Sequence, residues 1–299
     1  MYYVAIDVGG TKIKHALLNE SGKILESGSH PTAKDSVDEF VETIGFIVDE
    51  YKKNRHIEGL AVSLPCVVDP NTMKTIGTSA VSYLLNNDVY SLLKNRTNLD
   101  VVMENDGNCA GIAEGYIGAA KDTSYYAVMV IGSGIGGSVI INKSIIYGKN
   151  LHCGEFGMGI INDPLRDPIG DGISDLCATA SLIRDVANSL GIPEDEIDGK
   201  EIFRLADSGN EIVLRELDKF YKYIATVVFN IQSFLDPEKI LLGGGISENK
   251  RFIDGVNNAL LKFKQFYDGF EVTVEPCKFY NQANLLGAFF NFKSKMIVK

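Results

Sequence analysis

Asp7 ends a short apolar run and is followed by Gly9, Gly10, Thr11 and Lys12, in the stretch YVAIDVGGTKIKHALLN. Glycines let successive backbone N–H groups point into one concavity with no Cβ in the way, and such nests bind anions. A carboxylate at the mouth of the nest, Asp7, can hold the Mg²⁺ that accompanies ATP, directly or through water. Thr11 can donate to a phosphate oxygen. Asp7 can also be a turn residue bonding its own backbone, and taken alone that is the commoner case.

Asp106 supplies what phosphoryl transfer needs next. It follows the apolar run DVVMEN and precedes the small-residue stretch GNCAGIAEGYIG. That places it at the carboxyl end of a strand, where clefts in α/β proteins open. Phosphoryl transfer requires positioning and a group to accept the proton of the attacking hydroxyl. Asp106 suits that role, with Asn105 beside it as a neutral hydrogen-bonding arm for a polyol. An aspartate before Gly107 and Asn108 is also a good helix N-cap, and the two roles can fall to neighbouring residues.

Two more glycine clusters complete the chemistry. GSGIGG at 132–137 matches the dinucleotide fingerprint, yet the β-rich run SVIIN follows it where a helix is required. The dinucleotide reading fails on that context. Gly132, Ser133, Gly134, Gly136 and Gly137 instead form a second hairpin nest for phosphate. In LLGGGIS, the bare backbone of Gly243, Gly244 and Gly245 can lie against an adenine or ribose, or can be only a tight strand-to-helix turn.

The elements that must hold these groups are legible in outline. Residues 2–7 and 12–19 read as strands around Gly9 and Gly10. Residues 36–53 carry apolar positions at helical spacing behind Ser36, with Glu39 three residues on as a capping box requires. Short buried strands follow at IEGLAVSLP and DVVMEND. Residues 126–142 align without a gap on residues 3–19 at an offset of 123. A repeat at that spacing is too long for a solenoid and predicts two copies of one domain. Helices are expected near 177–190, 199–208 and 211–235, then a strand at KILLGGGIS and a helix from about Glu248. Strands mixed with helices predict an α/β protein with helices layered on both sides of each sheet.

Composition bounds the function classes. The 299 residues are 45% hydrophobic and 23% charged, ordinary for a globular protein with a sizeable core. A net charge of −10 argues against general affinity for nucleic acid. No 18-residue apolar run predicts a membrane span, and MYYVAIDVGG lacks the basic, then apolar, pattern of a secretory signal, so a cytoplasmic location is expected. Cys66, Cys109, Cys153, Cys177 and Cys277 form no C-x-x-C pair and make a poor disulfide framework. They read as reduced, mostly buried small residues.

Five motifs occur in one order: Asp7-Val8-Gly9-Gly10-Thr11, Glu104-Asn105-Asp106, Gly132-Ser133-Gly134-Ile135-Gly136-Gly137, Gly154-Glu155-Phe156-Gly157 and Gly243-Gly244-Gly245-Ile246. Together they resemble the ROK family of sugar kinases and repressors, within the actin-like ATPase superfamily, over nearly the whole chain to ANLLGAFF. The resemblance implies two actin-like (ribonuclease H-like) domains with a cleft between them. The first would span 1–118 with a C-terminal helix at about 283–294, and the second 119–282. It implies that Asp7 and Gly9 to Lys12 serve phosphate and Mg²⁺, that Asp106 is the catalytic base, and that Gly132 to Gly137 form the second phosphate loop. It also implies that Asn105 and Glu155 bind sugar hydroxyls, and family members are often homodimers.

The departures from the family pattern narrow the expectation. Many members place a histidine after Glu-x-Gly and a cysteine cluster ending in Gly-Cys-x-Glu, completing a zinc site. Here Met158 holds the histidine position, and Gly172-Ile173-Ser174-Asp175 stands in place of Gly-Cys-x-Glu. No zinc is expected, because neither imidazole nor thiolates are present. Asp175 can still reach a sugar hydroxyl, and Ser82 replaces the asparagine of a second sugar-binding loop. A smaller Ser82 and a shorter Asp175 agree with room for a second sugar ring. The expected activity is therefore an ATP- and Mg²⁺-dependent kinase acting on the 6-hydroxyl of a glucose unit, with β-glucosides of the cellobiose type ranked first. N-acetylmannosamine kinase and glucokinase are the alternatives. A repressor would carry a helix-turn-helix ahead of the first glycine hairpin, which here begins at residue 2, and a non-catalytic sugar-binding module would not retain both Asp7 and Asp106.

Overall fold

Each half of the chain opens with a glycine-centred hairpin, and the computed structural model builds a sheet around each. It describes residues 1–77, 79–161, 172–263 and 271–297. In the first half, β1 (Tyr2–Val8) and β2 (Lys12–Asn19) flank the first glycine turn, and β3 (Ile24–Pro31) pairs antiparallel with β2. Then come α1 (Val37–Lys52), β4 (Ile57–Leu64), the short pair β5 (Val67–Val68) and β6 (Thr75–Ile76), α2 (Val89–Thr97), β7 (Asp100–Asn105) and α3 (Asp106–Ile117). Ser36 caps α1 as its position predicts, its side chain accepting from the Glu39 N–H at 3.1 Å. The sheet order is β3-β2-β1-β4-β7, with β1 antiparallel to β2 and parallel to β4.

The second half contains β8 (Tyr125–Ile131), β9 (Ile135–Ile141), β10 (Ser144–Ile145), α4 (Ile173–Cys177), α5 (Thr179–Leu190), α6 (Gly199–Asp207), α7 (Glu211–Leu235), β11 (Lys239–Gly243), α8 (Lys250–Leu261) and β12 (Val274–Pro276). Its sheet runs β10-β9-β8-β11-β12, with the same strand directions as the first. One topology is used twice, as the match at offset 123 predicts. The copies differ in register. In the first hairpin the last pair, Val8 with Ile13, encloses Gly9 to Lys12. In the second, Ile131 pairs with Ile135 and encloses only Gly132 to Gly134. A turn shorter by one residue slips the pairing by one, although the strand positions match without a gap.

Residues Met1–Ile117, Tyr147–His152 and Gln282–Lys299 form one compact unit, and Gly118–Ile146 with Cys153–Asn281 form the other. In the first, successive residues of β1 face opposite sides of the sheet, and both sides are covered. Val4 and Ile6 join a core with Phe40 and Ile44 of α1. Tyr3, pointing the other way, meets Phe289 and Phe292 at 5.4 and 5.7 Å. Those two residues belong to α9 (Ala283–Ile297), which packs on α3, β1 and β4. The second unit builds its main core from Met129 and Ile131 of β8 against α5, α7 and α8. Tyr126 and Val128 face the opposite side, with Leu241 and Cys277. No helix among the described residues is long and apolar enough to cross a membrane.

The approach of α9 to α3 depends on Gly287. A Cβ there would lie 1.8 Å from the carbonyl oxygen of Cys109, and backbone cannot yield as a flexible side chain does. Gly287→Ala is therefore expected to destabilise the protein by about 2 kcal/mol or more, as overpacking does. That corresponds to a loss of about 3 °C or more in Tm for a chain of this size. Thermal denaturation checks it, and an unchanged Tm would show that the two helices separate without penalty.

Candidate active site

The first glycine turn presents its backbone outward. Gly10, Thr11 and Lys12 are exposed. The turn is held from beneath: the Gly9 N–H donates to the Lys12 carbonyl at 3.0 Å, and the Thr32 hydroxyl donates to the Gly9 carbonyl at 2.7 Å. Asp7 stands at its root and is only 7% exposed. One carboxylate oxygen, Oδ1, accepts from Asn284 Nδ2 at 3.0 Å, and Oδ2 lies 3.5 Å from Lys14 Nζ. Neither partner is a backbone group of its own turn, which sets these contacts apart from those of a turn residue.

Asp106 is the first residue of α3, half-buried where β7 ends. The cap of that helix is Asn105, whose Oδ1 accepts from the Asn108 N–H at 3.0 Å. The amide of Asn105 donates to the Cys66 carbonyl at 3.3 Å and to Asp106 Oδ1 at 3.1 Å. The Gly107 N–H donates to the same Asp106 oxygen at 2.8 Å. The two roles left open for Asp106 are thus divided: Asn105 caps and orients, and Asp106 is oriented.

Glu104 is the residue that pattern reading named in a motif without giving it a role. It is 1% exposed and accepts from the Asn105 N–H at 2.9 Å, from Asn108 Nδ2 at 2.9 Å and from the Tyr147 hydroxyl at 2.6 Å. Burial raises its pKa, opposed by these hydrogen bonds and by the Lys295 ammonium. Burial and the neighbouring Glu104 carboxylate push the Tyr147 phenol well above its usual range, so it remains a donor. Its spacing of 43 residues from Glu104 carries no local signal.

Ser82, exposed, opens a short 3-10 turn, Ser82–Leu84, in the first unit. The turn is anchored by buried Tyr83, whose hydroxyl donates to the Ala33 carbonyl at 3.0 Å. The loop leading to it comes close to the glycine turn, since a Cβ on Gly10 would sit 3.4 Å from that of Ala80. Ser82, Asp7, Asn105 and Asp106 all belong to the first unit.

The second unit holds the remaining candidates. Its glycine turn closes through the Gly132 N–H to the Gly134 carbonyl at 2.9 Å. It is tied to the start of α5 by the Thr179 N–H, which donates to the Gly132 carbonyl at 2.8 Å, and to α4 by Ile135 N–H donating to Ser174 Oγ at 3.1 Å. Ser174 and Thr179 carried no signal in the sequence. Gly132, Ser133, Lys200, Phe203, Gly245 and Ile246 are among the residues that line one cavity of about 670 Å³. The second and third glycine clusters therefore meet. Gly244 has φ of +88°, and a Cβ there would be 2.0 Å from the Ile131 carbonyl oxygen. That glycine serves the turn, while Gly245 has nothing within 4 Å of its Cβ position and faces open space. Turn and ligand readings of this cluster apply to different residues.

Glu155, half-buried, precedes the 3-10 turn Phe156–Met158. Gly157 is pressed against β9, where a Cβ would be 2.1 Å from the Ile135 carbonyl oxygen. Asp175 is exposed on α4, with Oδ2 accepting from the Gly172 N–H at 3.2 Å. Of the residues that stand at expected zinc-ligand positions, Met158 is 62% exposed and Ile173 is buried. His152 is exposed, its Nδ1 paired with the Asn150 carbonyl. The cysteines are all free thiols, four of them buried, and burial pushes those of Cys66 and Cys177 up to about 12.

Among the described residues, no cluster of three or more His, Cys, Asp or Glu is arranged to hold a metal ion. Mg²⁺ does not need one: it keeps several waters and is bound by one or two carboxylates plus the phosphates of a substrate. A single, fixed carboxylate such as Asp7 beside an exposed glycine nest fits that donor set.

The sequence model of the ROK family matches residues 3–295. A β-glucoside kinase of Listeria innocua serovar 6a is 31% identical, covering 98% of this chain and 97% of that protein. A β-glucoside kinase of Klebsiella pneumoniae is 28% identical, covering 98% and 96%. Among solved structures, a ROK family protein from Streptococcus pneumoniae TIGR4, crystallised in complex with sucrose, superposes with a TM-score of 0.88 at 32% identity and full coverage of both chains.

Proposed function

The chain belongs to the ROK family, and from that premise we propose that it is an ATP- and Mg²⁺-dependent sugar kinase that phosphorylates the 6-hydroxyl of a glucose unit, with β-glucosides of the cellobiose type as substrates. The nearly full-length likeness to two β-glucoside kinases carries the substrate class. The fixed Asn105–Asp106 pair at the end of β7 supports the reaction class.

In this reading, Asp106 accepts the proton of the attacking hydroxyl. Asn105 and Gly107 hold one of its oxygens, so the carboxylate is set before substrate arrives. The backbone of Gly9 to Lys12 and of Gly132 to Gly137 receives phosphate. Of Gly243 to Gly245, the last lines the cavity that would take the nucleoside. Asp7 holds Mg²⁺, which supplies neutralisation of phosphate charge when it is bound with ATP. Asn105, Glu155, Asp175 and Ser82 contact sugar hydroxyls. Exclusion of water favours transfer to sugar over hydrolysis.

An ATP-consumption screen over glucose, mannose, N-acetylated hexosamines, cellobiose and gentiobiose tests the substrate. The highest kcat/KM is expected for a disaccharide. Faster turnover of N-acetylmannosamine or glucose would move the substrate class, and no sugar-dependent ATP use would remove the kinase reading.

Metal analysis gives a second test. Met158 and Ile173 offer no donor to zinc. Purified protein is expected to carry no stoichiometric zinc, and a chelator should stop activity in a way that Mg²⁺ alone restores. One tightly held zinc per chain would overturn this reading.

A further inference from the structure

The C-terminal helix α9 is apolar where it packs, through Leu285, Leu286, Phe289 and Phe292, yet it sends polar groups into the same buried side of the first unit. Asn284, in its first turn, donates to Asp7 Oδ1. Asn291 is 5% exposed. Lys295 has its Nζ buried, with no hydrogen-bond partner. At 100° per residue, positions seven and eleven beyond Asn284 return to within about 20° of its direction, and eleven residues span about 16 Å. One stripe of the helix thus runs from Asp7 toward the support of Asp106.

A helix that only filled space would place apolar residues along that stripe, because burying an amide or ammonium costs free energy unless it is compensated. Asn284 is compensated by Asp7. For Lys295, burial lowers the pKa, and the carboxylate that opposes this most is Glu104. Glu104 in turn holds Asn105 and Asn108, and so the turn that orients Asp106.

We propose that α9 braces the catalytic residues of the first unit, with Asn284 as a positioning residue for Asp7 and Lys295 as a positioning residue for Glu104. This role presupposes that Asp7 serves metal and phosphate and that Asp106 serves the sugar, as proposed above. Asn284 occupies one oxygen of Asp7 and so sets the direction of the other. Lys295 brings a buried ammonium to the far end of the same stripe, and Glu104 accepts from three donors at once.

The two ends of the helix predict different signatures. Asn284→Leu, which keeps volume and removes the donor, is expected to raise the MgATP dissociation constant measured by calorimetry about fivefold, the ordinary worth of one such hydrogen bond. The sugar KM should stay within about twofold. Lys295→Met should do the reverse, weakening the hydrogen bonds that Glu104 accepts and so raising by about fivefold the KM of cellobiose, or of whichever sugar the screen shows is turned over fastest. If Lys295→Met does not fold, Tyr147→Phe removes another partner of Glu104 and should raise the same KM about twofold. A fall in Tm with both constants unchanged in every variant would reduce α9 to packing and overturn the proposal. So would equal shifts of both constants in each variant, the mark of general loosening. Asp7→Asn serves as the control: if it binds MgATP as the wild type does, the metal reading of Asp7 fails, and the Lys295 arm alone decides whether α9 braces the sugar side.

Discussion

Asp106→Asn is expected to lower kcat by about 10² or more, while sugar and ATP binding stay within about tenfold of the wild type, the usual scale of losing a general base. Donors to Asp106 include Asn105 Nδ2 and the Gly107 N–H, and both of these reach Oδ1, which asparagine retains as its carbonyl oxygen. The helix keeps its cap, because the cap is Asn105. What asparagine cannot do is accept a proton at catalytic pH. Steady-state kinetics with a parallel Tm measurement separate the two effects: a normal Tm with kcat reduced is the expected pattern, and near-normal turnover would remove Asp106 from the mechanism.

Asp7→Asn should fold normally and lose most activity at physiological Mg²⁺, with part of it recovered as Mg²⁺ is raised, since a weakened site refills by mass action. Asp7 is more buried than a solvated cleft would make it. Asparagine still accepts from Asn284 through its carbonyl oxygen, so the buried hydrogen bond survives. The ion pair with Lys14 is lost, and pairs to such half-exposed lysines contribute little. The repeat within the chain supplies an internal comparison. Asp7 pairs with Lys14 and Ser63 on its neighbouring strands; at the same place in the second sheet, Val130 pairs with Gly136 and Gly243. An apolar residue thus serves the hairpin equally well. If Asp7→Asn unfolds while its active remnant keeps normal Mg²⁺ dependence, Asp7 is structural and the metal assignment falls.

Much of this protein was determined by the sequence alone, and the determined parts share a physical cause. The two hairpins, the capped start of α1 and the long α7 are written by neighbours a few residues apart, through alternation, helical spacing and side-chain caps. The five motifs stand in one order along the chain, and the family model that they resemble matches residues 3–295. β3 was not legible, since it is exposed along nearly its whole length and held by backbone pairing to β2, which leaves no alternation to read.

Other features were decided only when the chain closed on itself. Whether Asp106 or its neighbour capped α3 depended on side-chain directions at one turn. The slip of register between the two hairpins depended on one residue of turn length. Glu104 acquires Tyr147, and Asp7 acquires Asn284, across 43 and 277 positions. Contacts of that span leave no periodic trace, because each partner obeys the pattern of its own element: Asn284 and Lys295 sit in an ordinary helix until its buried face is known. Local propensity selects the elements, and the packing of α9 against the sheet selects which polar groups meet.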